Sequence, residues 1–204
     1  MTVLATKFGN QSWFSHATSY LSSHFPPVEA RMQTAFRYVE LHSENRNTFS
    51  YELASILRDS GSVFGSVADA LMRGASAAPR REYNFGDYRN FLRREVPDIG
   101  QRTICVRPCF PAGIIVPFEE LQTATGTPGW WNAYTKVKHH EYQEFRMGNL
   151  ENCVTAVSGL ALLGFLMGIF ISDVLFVNVG IAYHANSIDM SEERRLFPRV
   201  SNAL

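Results

Sequence analysis

The chain lacks an excess of charge of either sign. Its 204 residues carry 19 basic and 19 acidic side chains, which cancel at pH 7. Because no global field attracts phosphate polyanions, any nucleic-acid contact must come from a local patch of the surface. Cysteine is also scarce, and Cys105, Cys109 and Cys153 form no paired metal motif. An odd number of cysteines is typical of free thiols in a reducing compartment. We therefore expect a cytoplasmic protein.

The signatures of several common function classes are missing. The N-terminal residues contain no basic stretch followed by an apolar region, so we predict no signal peptide. Neither a Gly-x-Ser-x-Gly elbow nor a phosphate-binding glycine loop is present, which leaves acyl transfer and nucleoside-triphosphate chemistry without support. The adjacent His139 and His140 would point about 100° apart on a helix and cannot bind one ion alone. We predict no metal and no cofactor.

Apolar residues recur at three- and four-residue spacing along much of the chain, which predicts an all-α fold. Pro26 and Pro27 are expected to end the first helix, which covers residues 11–25. Thr48 or Ser50 is the predicted N-cap of a long helix, and Asn84 that of a shorter one. The short β-branched runs TICVR and GIIVP predict a small β-hairpin. We predict an N-terminal arm over residues 1–27, a helical bundle over 28–180 with a β-rich insertion near 100–118, and a tail over 181–204.

The longest uncharged segment, VTAVSGLALLGFLMGIFIS at residues 154–172, allows two interpretations. It is long enough to span a bilayer, and Gly164 and Gly168 have the spacing that permits close packing of helices in a membrane or in a soluble dimer. Asp173 at its end, the missing aromatic-basic girdle and the other amphipathic helices favour a central core helix instead. We predict that residues 154–172 form the core helix of the bundle.

A polar and aromatic block, WWNAYTKVKHHEYQEFR, occupies residues 130–146. A helix running through it would place five polar residues on one stripe: Asn132, Lys136, His139, Gln143 and Arg146. His139 could exchange a proton near neutral pH, while Lys136 and Arg146 could stabilise the charge on a phosphoryl group. Tyr134 and Lys138 would lie at the edge of the stripe. The alternative is that this is the solvated face of an amphipathic helix.

The runs WWNAYTKVKHH and FRMGNLENCVTAVSGLALLGFL resemble the C-terminal half of uncharacterised bacterial proteins related to the HEPN superfamily. With FRYVELHSENRNTFSYELASIL and YNFGDYRNFLRREVPDI, the resemblance extends over about residues 28–172. Members of this superfamily are all-α domains, often dimeric, found in RNA-cleaving toxins and defence systems. The family motif has an arginine shortly before a histidine. If His139 is that histidine, the arginine positions hold Asn132, Ala133 and Tyr134.

The resemblance implies an up-and-down helical bundle and a metal-independent endoribonuclease of a defence or toxin–antitoxin system. His139, Tyr134 and Lys138 would then be catalytic, and the RNA-binding residues would be Asn132, Lys136, Gln143 and Arg146. The expected partners are RNA or a nucleotide, a second copy of the chain, and a protein partner or antitoxin. A non-catalytic protein-interaction module is the first alternative. A single-span membrane-attached protein is the second, although a membrane partner is not expected.

Overall fold

A computed structural model describes residues 3–106, 113–169 and 176–181 of the chain. These residues are mostly helical with a small antiparallel sheet, which confirms the predicted helical fold with a β-hairpin. The helices are α1 (Val3–Phe8), α2 (Ser12–Phe36), α3 (Tyr51–Ala75), α4 (Phe85–Glu95), α5 (Gly129–Glu144) and α6 (Leu150–Leu166). The strands are β1 (Arg102–Val106), β2 (Gly113–Ile115) and β3 (Phe176–Ile181).

The apolar α6 is the central helix, and α2, α3 and α5 pack against it. The Asn149 side chain caps its first turn by accepting from the amide of Asn152 at 3.0 Å. The helix ends at Leu166, because Gly168 adopts a φ of 78° that stops the helical path. The prediction that it continues to residue 172 is therefore wrong at residues 167–169, and residues 170–172 lie outside the described part.

The length and surroundings of α6 can be compared with two predictions made for this segment, a membrane span and a glycine-mediated dimer. Among the described residues, no helix is both long and apolar enough to cross a bilayer. Gly159 and Gly164 are buried within the chain, and Gly159 faces the rings of Trp130 and Phe118. Gly168 lies beyond the end of α6 and is exposed, so the two glycines of the predicted spacing do not share this helix. The dimer stays a prediction.

Pro26 and Pro27 lie inside α2, so the prediction that they end the first helix is wrong. Leu21, Phe25 and Val28 are buried on one side of α2, on both sides of the prolines, and belong to the same core. The prolines are exposed to water, which can serve the carbonyls that lose their amide partners. Packing of the apolar face therefore outweighs the free-energy cost of the backbone hydrogen bonds that the prolines remove. As a result, α2 crosses the boundary predicted at residue 27 between the N-terminal arm and the bundle.

The helix starts of α3 and α4 follow the predicted caps. The Ser50 hydroxyl accepts from the amide of Leu53 at 3.1 Å, which confirms Ser50 as the N-cap of α3. Asn84 caps α4 by accepting from the amide of Asp87, and the Asp87 carboxylate accepts from the amide of Asn84 in return. These two exchanges satisfy amides that the first helical turn leaves without partners. They fix where α4 begins beside α3.

The sheet has the strand order β2-β1-β3, with both pairs antiparallel. Ile104 of β1 pairs with Ile115 on one side and Asn178 on the other. The β1–β2 pair confirms the predicted hairpin, whose connecting residues 107–112, including Cys109, lie outside the described part. The third strand lies beyond the uncharged segment and Asp173, and it was not predicted from the sequence. Residues 182–204 of the predicted tail also lie outside the described part.

Candidate functional site

Two neighbouring tryptophans set the position of α5. The Trp130 ring is buried against Phe64, with the ring centroids 5.3 Å apart, and its indole N–H donates to the carbonyl of Pro117 at 2.8 Å. Trp131 is half-exposed, and its ring packs near Phe85 at 5.1 Å. Trp130 thus anchors the start of α5 in the core, while Trp131 is left on the surface between α3 and α4.

Two glycines of α3 let α5 approach closely. A β-carbon on Gly61 would stand 2.3 Å from Cγ of the Tyr134 ring, so only a glycine leaves room for the ring in this position. A β-carbon on Gly65 would stand 3.6 Å from the Trp131 ring, which is ordinary van der Waals contact. The Tyr134 ring therefore lies directly on the backbone of α3.

An open cleft of about 530 Å³ lies between α3, α5 and the start of α4. One part of its wall is aromatic: Tyr83, Phe85, Tyr88, Trp131 and Tyr134. The polar part includes Ser62, Ser66, Asp69, Thr135, Lys138 and His139. The cleft therefore offers flat apolar rings beside hydroxyl groups, a carboxylate, a lysine and a histidine.

The hydroxyl of Tyr134 is the centre of a small polar cluster. Lys138 Nζ donates to Tyr134 Oη at 3.1 Å, and Ser62 Oγ lies 3.4 Å from the same oxygen. Tyr134 is only 5% exposed, whereas Lys138 and His139 are open to water. The Tyr134 hydroxyl therefore lines the cleft together with an ammonium group and a second hydroxyl group.

The Asp69 carboxylate of α3 also lines the cleft, and two hydrogen bonds hold it in place. The Tyr88 hydroxyl donates to Asp69 at 3.3 Å, and Arg73 Nε donates to the other Asp69 oxygen at 2.8 Å. Burial, together with the Asp69 charge, raises the pKa of Tyr88 above its ordinary value of 10.0, so Tyr88 stays a hydrogen-bond donor. Asp69 is the one carboxylate among the described side chains of the cleft, and Arg73 offsets its charge.

Arg73 also holds the segment that forms the rim of the cleft. Its guanidinium donates to the carbonyls of Arg80 and Arg81, the first at 2.9 Å. The guanidinium carbon lies 5.5 Å from the centre of the Tyr83 ring. Since Tyr83 lines the cleft, Arg73 ties the rim to α3 as well as neutralising Asp69.

The residues predicted as catalytic meet in this cleft. Tyr134, Lys138 and His139 all line it, on the side formed by α5. Ser62, Asp69 and Tyr88, from α3 and α4, were missed by the sequence analysis. Their signal in the sequence was weak, because isolated polar residues on a surface helix have no distinguishing pattern until the position of α5 is known.

The four residues predicted to contact RNA lie outside the cleft lining. Asn132 and Gln143 are exposed, and Lys136 forms an ion pair with Glu144 at 3.7 Å. The guanidinium carbon of Arg146 lies 5.7 Å from the centre of the Phe49 ring, at the other end of α5. These positions are therefore not gathered around His139.

The prediction of one continuous polar stripe is wrong beyond His139. The backbone of His140 has φ −139° and ψ 44°, which is outside the helical region, so α5 kinks there. A 3-10 turn at Phe145–Met147 then follows the helix. Both changes rotate the later side chains away from the direction that ideal helical spacing gives.

Comparison of the chain with known protein families, with curated proteins and with solved structures finds no match. The resemblance to the HEPN superfamily therefore stays a prediction. Within the described residues, no group of three or more histidine, cysteine, aspartate or glutamate side chains is placed to hold a metal ion. The chemistry of the cleft must be argued from its own residues.

Proposed function

We propose that the chain is an RNA- or nucleotide-binding protein with a HEPN-like bundle, and that the cleft between α3 and α5 is its binding site. One observation carries the proposal: Tyr134, Lys138 and His139 converge in one open cleft beside several aromatic rings. Base stacking on aromatic side chains and phosphate contact by cations are the two interactions that most single-stranded nucleic-acid sites combine.

The charge of the cleft suits a phosphate group. Asp69 is held by Arg73 at 2.8 Å, so its negative charge is offset. Lys138 is exposed and has its ammonium group at the Tyr134 hydroxyl. A phosphate oxygen beside Lys138 could accept from both groups, because an ammonium and a phenol are both donors. The half-exposed ring of Trp131 is then available to a base.

The same side chains have the parts for RNA cleavage without a metal. Such cleavage needs a base that removes the proton of the ribose 2′-hydroxyl and an acid that protonates the leaving 5′-oxygen. The 2′-oxygen attacks phosphorus, the bond to the 5′-oxygen breaks, and a 2′,3′-cyclic phosphate results. In the proposal, His139 is the base, Tyr134 is the acid, and Lys138 stabilises the charge that develops on the phosphate.

Two lysines of α5 provide a matched test of binding. Lys138 lines the cleft, whereas Lys136 is exposed outside it and paired with Glu144. Loss of one charge-assisted hydrogen bond costs about 1.5–3 kcal/mol, so Lys138→Ala should weaken the binding of a fluorescent oligouridylate at least about tenfold. Lys136→Ala should bind as the wild type does. Fluorescence anisotropy at one fixed salt concentration measures both, since such affinities depend strongly on salt.

Cleavage is tested separately with a mixed RNA pool, with and without a chelator. We expect cyclic-phosphate ends with the wild type in either condition, and none with His139→Ala, although that variant should still bind. Binding without cleavage by the wild type would make the cleft a non-catalytic site. Neither binding nor cleavage would refute the proposal and favour the protein-interaction module.

A further inference from the structure

A second group of aromatic side chains lies beyond the kink of α5. The ring centre of Phe145 is 5.5 Å from that of Phe49 and 4.3 Å from that of Tyr51. The guanidinium carbon of Arg146 lies 5.7 Å from the centre of the Phe49 ring. Tyr51 is 77% exposed and Phe49 is 42% exposed. We call these four residues the aromatic platform.

The loop that carries Phe49 is tied to the start of α6. Arg46 makes two hydrogen bonds to the Glu151 carboxylate, at 2.6 and 3.1 Å. The amide of Leu150 donates to the carbonyl of Thr48 at 2.8 Å, next to Phe49. The backbone at Phe49 is therefore already held in place before a ligand stacks on the platform, which favours binding.

The platform and the cleft lie along the same pair of helices. On α3, about three turns separate Tyr51 from Ser62, so both project from the same side of the helix. Tyr134 of α5 packs at Gly61, and Phe145 in the turn after α5 packs at Tyr51, so this segment runs antiparallel to α3. The cleft and the platform therefore lie at two points along the same side of α3.

We propose that the cleft and the aromatic platform form one track for single-stranded RNA. The proposal rests on the proposed function of the cleft and adds a second binding surface for the same strand. A strand in the cleft would continue along α3 and α5 and stack a base on Tyr51, while Arg146 contacts its phosphate. Aromatic faces alternating with cations suit a chain of bases and phosphates. From Gly65 to Tyr51 the helical rise gives a track of roughly 20 Å, which is about six stacked nucleotides.

The test compares two labelled oligouridylates, of about three and about ten nucleotides, because only the longer one can reach both sites. Tyr51→Ala should weaken binding of the longer oligonucleotide about tenfold, as expected for the loss of one stacked base. Binding of the shorter one should not change. Tyr51 is mostly exposed, so the variant should fold normally. Tyr20→Ala is the control, because Tyr20 is a partly exposed tyrosine on α2, stacked on His24.

The outcomes separate the track from the cleft. If the wild type binds both oligonucleotides equally well and Tyr51→Ala has no effect, the track is refuted and the cleft stands. If the wild type binds neither, the proposed function fails and the track fails with it. A light-scattering mass of two chains that falls to one chain in Tyr51→Ala would assign the platform to a second copy of the protein, which also overturns the track.

Discussion

Gly61 and Gly65 provide a matched pair of substitutions that tests how α5 is seated on α3. Both glycines lie in the interior of α3 and face α5, but they differ in the space beside them. A β-carbon on Gly61 would stand 2.3, 2.4 and 2.7 Å from three atoms of the Tyr134 ring. A β-carbon on Gly65 would meet only the far edge of the Trp131 ring, at 3.6 Å. Alanine should therefore have opposite effects at the two positions.

The expected magnitudes follow from two terms. Forcing extra volume into a packed contact costs about 1–3 kcal/mol, and replacing a glycine inside a helix by alanine returns about 0.5–1 kcal/mol. Gly61→Ala should therefore lower the free energy of unfolding by up to about 2.5 kcal/mol, because the packing cost outweighs the gain in helix stability. Gly65→Ala should raise it by about 0.5–1 kcal/mol, because only the helix term applies. For a chain of this size, each kcal/mol shifts the melting midpoint by about 2–4 °C.

Urea unfolding followed by circular dichroism measures both variants against the wild type. The slope with denaturant should stay constant, which shows that the change is in stability and not in the unfolded state. Gly61→Ala should also reduce the proposed RNA binding, since Tyr134 must move away from Ser62 and Lys138. Equal stability of the two variants would show that the Tyr134 ring does not lie on Gly61, and the arrangement of the cleft would then be wrong.

Three further predictions concern the core and its edges. Burial alone would raise the pKa of Glu95, but hydrogen bonds from Lys7 and Arg94 outweigh it and lower the pKa below its ordinary value of 4.5. The ionised Glu95 carboxylate therefore stabilises the folded state fully above about pH 4.5. This stabilisation is lost as the pH falls through the pKa of Glu95 in the folded protein, which is lower. Lys7→Ala should therefore lower the melting midpoint near neutral pH and lose this difference in acid; a difference that does not depend on pH would contradict the ion pair. Asn149→Ala removes the cap of α6 and should cost about 1 kcal/mol in urea unfolding; an unchanged midpoint would show that the cap contributes nothing. Burial raises the pKa of the Cys153 thiol, so iodoacetamide should modify it only after unfolding, as peptide mass spectrometry can show; modification of the native protein would mean that α6 opens.

The helices that the sequence predicted correctly are those with a local signal. The cap at Ser50 and the apolar periodicity of α3 lie within one segment, so that segment alone is enough to predict the helix. The prediction that Pro26 and Pro27 end the helix is wrong because their local cost is outweighed by burial of Leu21, Phe25 and Val28 against other helices. The helical spacing of these three residues continues across the prolines, but the partners that decide the outcome lie elsewhere in the chain.

The candidate site was predictable only on one side. Tyr134, Lys138 and His139 were found because residue types suited to proton transfer and phosphate binding are concentrated in one short block. Their partners Ser62 and Asp69 lie far away in the chain and become neighbours only through the contact at Gly61. The kink at His140 was equally hidden, since a backbone angle leaves no mark in the spacing of polar residues.

The position of α6 along the chain has a consequence for synthesis. Its helical partners α1, α2, α3 and α5 all precede it in the sequence, and so does β1. A ribosome makes the chain from its N-terminus, and nascent domains can begin to fold as they emerge. The most apolar helix therefore leaves the ribosome after most of the elements that contact it have been made, although β3, which also contacts it, follows. Chaperones and insertion machinery would meet it for only a short time, and moving this segment to the front of the chain in a circular permutant should lower the soluble yield.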